Sequence, residues 1–129
     1  MPKTAMFEIE REGATIIVIP AVNLRELDDV ASNAREAIDA LSDLSIKNLV
    51  MDFHKTDYFG STALALFIRF WKILADRSGH MAFCNLSDLQ REVLSVTRLD
   101  TLWPICESRE QAMKAVRKLN RLTSTTATA

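Results

Sequence analysis

The chain has 129 residues, 48% of them hydrophobic and 26% charged, with a formal net charge of −1. That length fits one domain with a core of its own and needs no disulfide or metal staple. A near-neutral balance excludes a general attraction for nucleic acid or an anionic membrane, and no charge-free apolar run reaches the about 18 residues of a membrane span. The first residues carry no apolar run behind their charges, so they do not read as a signal peptide, and a cytoplasmic location is expected. Cys84 and Cys106 form no CxxC pair. They read as two reduced, buried thiols, not as a zinc or redox centre.

Residues 4–10 alternate loosely, with Ala5, Phe7 and Ile9 set against Glu8 and Glu10. Residues 14–19 are a β-branched run closed by Pro20. The two read as strands of a hairpin in which Gly13 is free to take positive φ. Over residues 24–41 the period changes. Leu27, Val30, Ala31, Ala34, Ile38 and Leu41 recur at three and four residues with acids near the start, which predicts an amphipathic helix. A polar connection at 42–45 leads to residues 46–53, whose centre (Leu49, Val50, Met51) does not alternate and suits a strand covered on both faces. Residues 54–60 form a loop, and 61–77 a long helix ended by Ser78 and Gly79. A short strand is expected at 80–84. The helix expected at 87–99 is capped at Ser87, with Leu89, Val93, Val96 and Leu99 on one side. A last strand at 102–106 contains Pro104, which suggests an edge position. The final helix, 108–122, opens on a Ser108/Gln111 capping-box pattern and turns Ala112, Ala115, Val116 and Leu119 inward. Residues 123–129 carry no charge and nothing apolar larger than alanine, so this tail is expected to be disordered. The reading is a single domain over 1–122 in the order β-β-α-β-α-β-α-β-α. Strands and helices alternate after the hairpin, so the fold is α/β with parallel connections.

Much chemistry is missing. Three glycines, Gly13, Gly60 and Gly79, supply neither a P-loop nor a dinucleotide fingerprint. His54 and His80 have no partner at metal-ligand spacing. Aromatic residues are not interleaved with a basic cluster, so nucleic-acid recognition is not indicated. Asp52, His54 and Ser61 make a Ser/His/Asp triad only on paper, since no GxSxG elbow surrounds Ser61 and Asp52 and His54 compete for one side of the loop. No enzyme, catalytic residue, metal or cofactor is expected.

The informative stretch is the helix that begins at Ser61. At about 100° per residue, Ser61, Thr62, Ala65, Arg69, Lys72 and Asp76 fall in one arc, and the rest of the helix is apolar. Such a helix is buried on most sides and shows one narrow polar stripe, bordered by Leu66 and Ile73. The stripe runs from two hydroxyls to two cations. A hydroxyl at a helix start is either an ordinary N-cap or a site for an anion beside unpaired N–H groups and the positive end of the dipole. A phosphate on Ser61 or Thr62 would change the sign of the exposed end of the stripe.

Residues 48–53 (NLVMDF) and 58–64 (YFGSTAL) resemble the strand, loop and helix start of STAS domains, the domains of bacterial anti-sigma factor antagonists and of sulphate transporter tails. The resemblance extends from about Phe7 to about Leu119 and takes in the opening hairpin and Pro20 before the first helix. It implies a STAS-like mixed sheet of five strands with four helices, and a binding module instead of an enzyme. Family members work by partner switching in transcription regulation. The unphosphorylated form binds a kinase-type anti-sigma factor, phosphorylation of the hydroxyl at the helix start releases it, and a phosphatase resets it. That hydroxyl corresponds to Ser61 or Thr62, with Ser61 preferred. The docking surface then runs between His54 and Asp76, with Asp57, Tyr58, Gly60, Ala65, Arg69 and Lys72 as partner-binding residues. Two positions depart from the family pattern: Gly60 stands where the family has an acid, and Ala63 where it has glycine. The alternative is a STAS-like adaptor of a transporter or signalling complex, with Ser61 as a structural cap. No pattern in the chain specifies an oligomer.

Overall fold

The computed structural model describes residues 7–21 and 27–128. The expected beginnings of the first strand (residues 4–6) and first helix (residues 24–26), and the last tail residue, Ala129, lie outside them, as do the side chains of Leu27, Val30 and Ala31. Among the described residues the order is β1 (Phe7–Glu12), β2 (Thr15–Pro20), α1 (Leu27–Leu41), β3 (Asn48–Asp52), α2 (Ser61–Ala75), β4 (His80–Cys84), α3 (Asp88–Val96), a 3-10 turn (Leu99–Thr101), β5 (Ile105–Cys106) and α4 (Arg109–Thr128). The five strands form one sheet in the order β1-β2-β3-β4-β5. β1 and β2 are antiparallel around Gly13, whose φ is 62°. Every later pair is parallel. The order and the mixed sheet are those expected from the sequence, and the fold is α/β.

Parallel neighbours need a crossover, and α1, α2 and α3 supply the three. All three lie on one face. Alternate residues of β2, β3 and β4 (Ile16 and Val18, Leu49 and Met51, Met81 and Phe83) form a core there with Ala37 of α1, Phe67 and Phe70 of α2 and Leu94 of α3. The intervening residues, Ile17, Ile19, Val50, Ala82 and Cys84, face the other way and are covered by Ala112, Met113 and Val116 of α4. This two-sided burial explains why the centre of β3 does not alternate.

Several boundaries differ from expectation. α2 stops at Ala75, two residues short, and the residue that turns left-handed is Ser78, with φ 57°, not Gly79. Gly79 is required for another reason: a Cβ there would lie 2.0 Å from the Lys47 carbonyl oxygen. The inward side of α3 is Gln90 and Leu94. Val93 and Leu99 are only partly buried, and Leu89 and Val96 are 48% and 77% exposed. The expected inward face was therefore rotated, because Gln90 is drawn in by hydrogen bonds that a hydrophobicity pattern does not register. β5 keeps only two residues, at the edge, because the 3-10 turn and Pro104 occupy the chain before it and Trp103 is pulled into the core. There Trp103 stacks on Phe83, with ring centroids 5.0 Å apart and planes 4° from parallel. α4 carries on to Thr128, past Leu122, where its apolar periodicity ends. The extra residues include no proline or glycine to stop it. No described helix is long and apolar enough to cross a membrane.

Candidate functional site

The site is built at the C-terminal end of β3. Asp52 closes that strand and is buried, at 2% exposure. A buried carboxylate is tolerated when its oxygens are filled by donors. Asp52 Oδ1 accepts from the His54 backbone N–H at 3.1 Å and from Asn85 Nδ2 at 2.9 Å, and lies 3.0 Å from His54 Nδ1. Oδ2 accepts from Arg109 Nε at 3.0 Å. Arg109 also reaches Glu10 Oε1 with Nη1, at 3.2 Å. Burial alone would raise the Asp52 pKa, but the hydrogen bonds from Asn85, His54 and Arg109 outweigh it and hold the carboxyl below its ordinary value. Asp52 is thus an ionised knot that ties β1, β3, the residue after β4 and the first turn of α4.

The loop that follows, residues 54–60, is pinned from beneath and from the side. Beneath it, Phe59 meets Phe53 and Phe67 edge-on at centroid distances of 5.2 and 5.3 Å. From the side, α3 holds it through its own cap. Ser87 Oγ accepts from the Gln90 N–H, and the Gln90 side chain accepts from the Ser87 N–H, a complete capping box. The same Ser87 hydroxyl donates to the Asp57 carbonyl at 2.7 Å, and Gln90 Nε2 donates to Thr56 Oγ1 at 3.3 Å.

At the end of the loop α2 begins without a side-chain cap. Gly60 is the N-cap, in an extended conformation, and no acid stands in the first turn. Ser61 is therefore the first helical residue and not the cap, which corrects the reading of it as an ordinary N-cap. The extended backbone of Gly60, just after the buried Phe59, occupies the cap position, so Ser61 already lies in the first turn. Ser61 is exposed and Thr62 half-buried. Further along, Ala65, Arg69, Lys72 and Asp76 are exposed, as is Ala75, while Leu66 is buried and Ile73 half-buried. In the loop, Asp57 is exposed and Tyr58 and Gly60 are half-buried. The loop and the stripe thus form one path that leads through Ser61. The Asp52–His54 half of the paper triad exists, but no hydrogen bond joins Ser61 to it among the described residues.

Sequence reasoning missed Asn85, Arg109, and the bonds from Ser87 and Gln90 to the loop. Two signals were available. Asn tolerates the left-handed conformation that Asn85 adopts after β4, with φ 58°. Gln90 stands three residues after Ser87, where a capping box needs it.

The chain belongs to the STAS domain family, whose model matches residues 9–112. The resemblance read from the residues around Ser61 therefore holds across the fold. BtrV of Bordetella bronchiseptica, provisionally named an anti-sigma factor antagonist, is 27% identical over 85 residues, which cover 66% of this chain and 73% of BtrV. The anti-sigma-factor antagonist (STAS) domain protein of Planctomyces limnophilus is also 27% identical. It superposes with a TM-score of 0.78 over 86% of this chain and 97% of its own. The SpoIIAA antagonist in its unphosphorylated form is 18% identical and shares the fold, with a TM-score of 0.76 over 87% of this chain and 96% of its own. In its phosphorylated form, the Bacillus cell fate determinant SpoIIAA gives a TM-score of 0.68.

Proposed function

We propose that the chain is the antagonist arm of a partner switch. In its unphosphorylated form it binds a kinase-type anti-sigma factor through loop 54–60 and the α2 stripe, with Asp57, Tyr58, Gly60, Ala65, Arg69 and Lys72 in the contact. Transfer of a phosphoryl group to Ser61 ends the association, and a phosphatase restores it. The observation that carries this reading is the position of Ser61, an exposed hydroxyl at the first residue of a helix whose cap is a glycine with no side-chain acceptor. Its hydroxyl is not committed to capping, and a phosphate on it would sit at the positive end of the α2 dipole. Thr62 is half-buried and is the weaker acceptor. The antagonist names of BtrV and of the Planctomyces protein support the partner class, and the two forms of SpoIIAA support the switch.

A second reading, a constitutive STAS adaptor in a transporter or signalling complex, is favoured by one observation. Neither Gly60 nor the first turn of α2 supplies a carboxylate beside Ser61. Incubation with the kinase-type anti-sigma factor and Mg-ATP separates the two. The switch requires the mass of one phosphate on the intact chain, lost in Ser61→Ala and retained in Thr62→Ala. It also requires Ser61→Asp to weaken binding at least about tenfold, since like charges or an unpaired charge at an interface cost several kcal/mol. A chain that binds its partner with or without ATP and never gains mass is an adaptor.

A further inference from the structure

Cys84 and Cys106 stand opposite each other in the register of the parallel β4–β5 pair, and both are free. Residues at one level of a parallel ladder turn their side chains to the same face. Here that face is the one under α4, where Cys84 lies in the core and Cys106 packs against it. Adjacent strands run about 4.8 Å apart, within the roughly 4.4–6.8 Å range of Cα separations that a disulfide spans. β5 is two residues long and lies at the sheet edge, so little structure resists the small tilt that brings two sulfurs together. The thiols are also unequal. Cys84 is fully buried, whereas Cys106 is half-buried.

We infer that Cys84 and Cys106 form a dithiol site that closes to an intrachain disulfide, with a low-molecular-weight disulfide such as oxidised glutathione as the oxidant. The outer thiol reacts first. Cys106, as thiolate, attacks one sulfur of the oxidant and forms a mixed disulfide, and the released thiolate takes up the proton Cys106 gave away. Cys84, as thiolate, then attacks the Cys106 sulfur, and the second glutathione thiol leaves with the second proton. Two electrons pass from the two protein thiols to the oxidant, which ends as two thiols. Burial pushes both protein thiols up, Cys84 to about 12 with a further push from the Asp52 carboxylate, so the second step is slow at neutral pH. A reducing milieu keeps the site open. Once closed, the bond clips the edge strand to β4 next to Asn85, whose Nδ2 lies 3.8 Å from Cys84 Sγ and also holds Asp52. Nothing in this chemistry depends on partner switching.

The test treats the native full chain with oxidised glutathione at mildly alkaline pH and reads intact mass, free thiols and linked peptides. The expected product has lost two hydrogens, carries no glutathione, contains a Cys84–Cys106 linked peptide pair and reverts with dithiothreitol. Cys84→Ala should stop at a stable glutathione adduct on Cys106. In Cys106→Ala, the remaining thiol should react at least about tenfold more slowly in the native state than in denaturant, as a buried thiol does. Circular dichroism of each variant confirms that the comparison is between folded chains. A stable adduct on wild-type Cys106 with Cys84 still free would overturn the inference. So would a disulfide between two chains, or two thiols that persist through the whole incubation.

Discussion

At Gly79 the chain turns out of α2 into β4 against the Lys47 carbonyl, and no side chain fits in the space. Gly79→Ala should cost about 2–3 kcal/mol, the upper part of the roughly 1–3 kcal/mol usual for overpacking. The clash is with backbone and cannot be relieved by a rotamer change. Urea unfolding measures it; a midpoint equal to that of the wild type would show that the turn yields. Asp52 is a residue of the opposite kind, since what it needs arrives from far away. Its partners Asn85 and Arg109 are 33 and 57 residues distant. The sequence places Asp52 one residue before the end of the strand read over 46–53 but carries no local sign of that convergence. Ser61 was legible as an exposed hydroxyl at a helix start. Its offset from the cap was not, because a serine and the glycine before it are both acceptable N-caps, and which of them takes the extended conformation is not written in their types.

At the level of elements, α3 and the loop before α2 share one hydroxyl. Ser87 accepts from Gln90 to cap the helix and donates to Asp57 to hold the loop. Ser87→Ala should lose about 1 kcal/mol for the missing cap and should also loosen residues 54–60. Ser87→Asp separates the two roles, because a carboxylate caps but cannot donate. It should restore most of the stability while amide exchange in 54–60 stays fast. Exchange that recovers together with stability would mean that the loop does not rely on this bond. Element identities and order were legible because each has its own hydrophobic period and the parallel connections leave few topologies. The inward face of α3 was not, since Gln90 is buried through its hydrogen bonds while Leu89 and Val96 are left outside.

For the molecule as a whole, acid is the revealing perturbation. Asp52 is held below its ordinary pKa in the folded state. Its contribution is therefore complete above the unfolded value, near 4, and is lost as pH falls through the lower folded value. Asp43 behaves alike. Hydrogen bonds from the Ser45 hydroxyl and N–H, then from Arg11, lower it to about 2, so its share is lost between roughly 4 and 2. Asp52→Asn should cost about 3 kcal/mol near neutral pH, as for one partner removed from a buried ion pair. The gap from wild type should then narrow as the pH of the denaturation series falls below about 4. A gap that stays constant with pH would mean that the charge of Asp52 is not what holds β1, β3 and α4 together.

The narrowness of the α2 stripe sets a limit on scale. Fifteen helical residues extend about 22 Å, and a strip about 10 Å wide along them offers only about 200 Å². A stable complex covers about 800 Å² on each partner. If the proposed surface is the docking site, the pinned loop and the start of α3, which lie beyond the first residue of the helix, would supply the missing area. That would put Ser61 near the middle of the proposed footprint and not at its rim. Under the proposed switch, water would be excluded there and a phosphate dianion would have nowhere to be solvated, which is how one modified oxygen would separate two proteins.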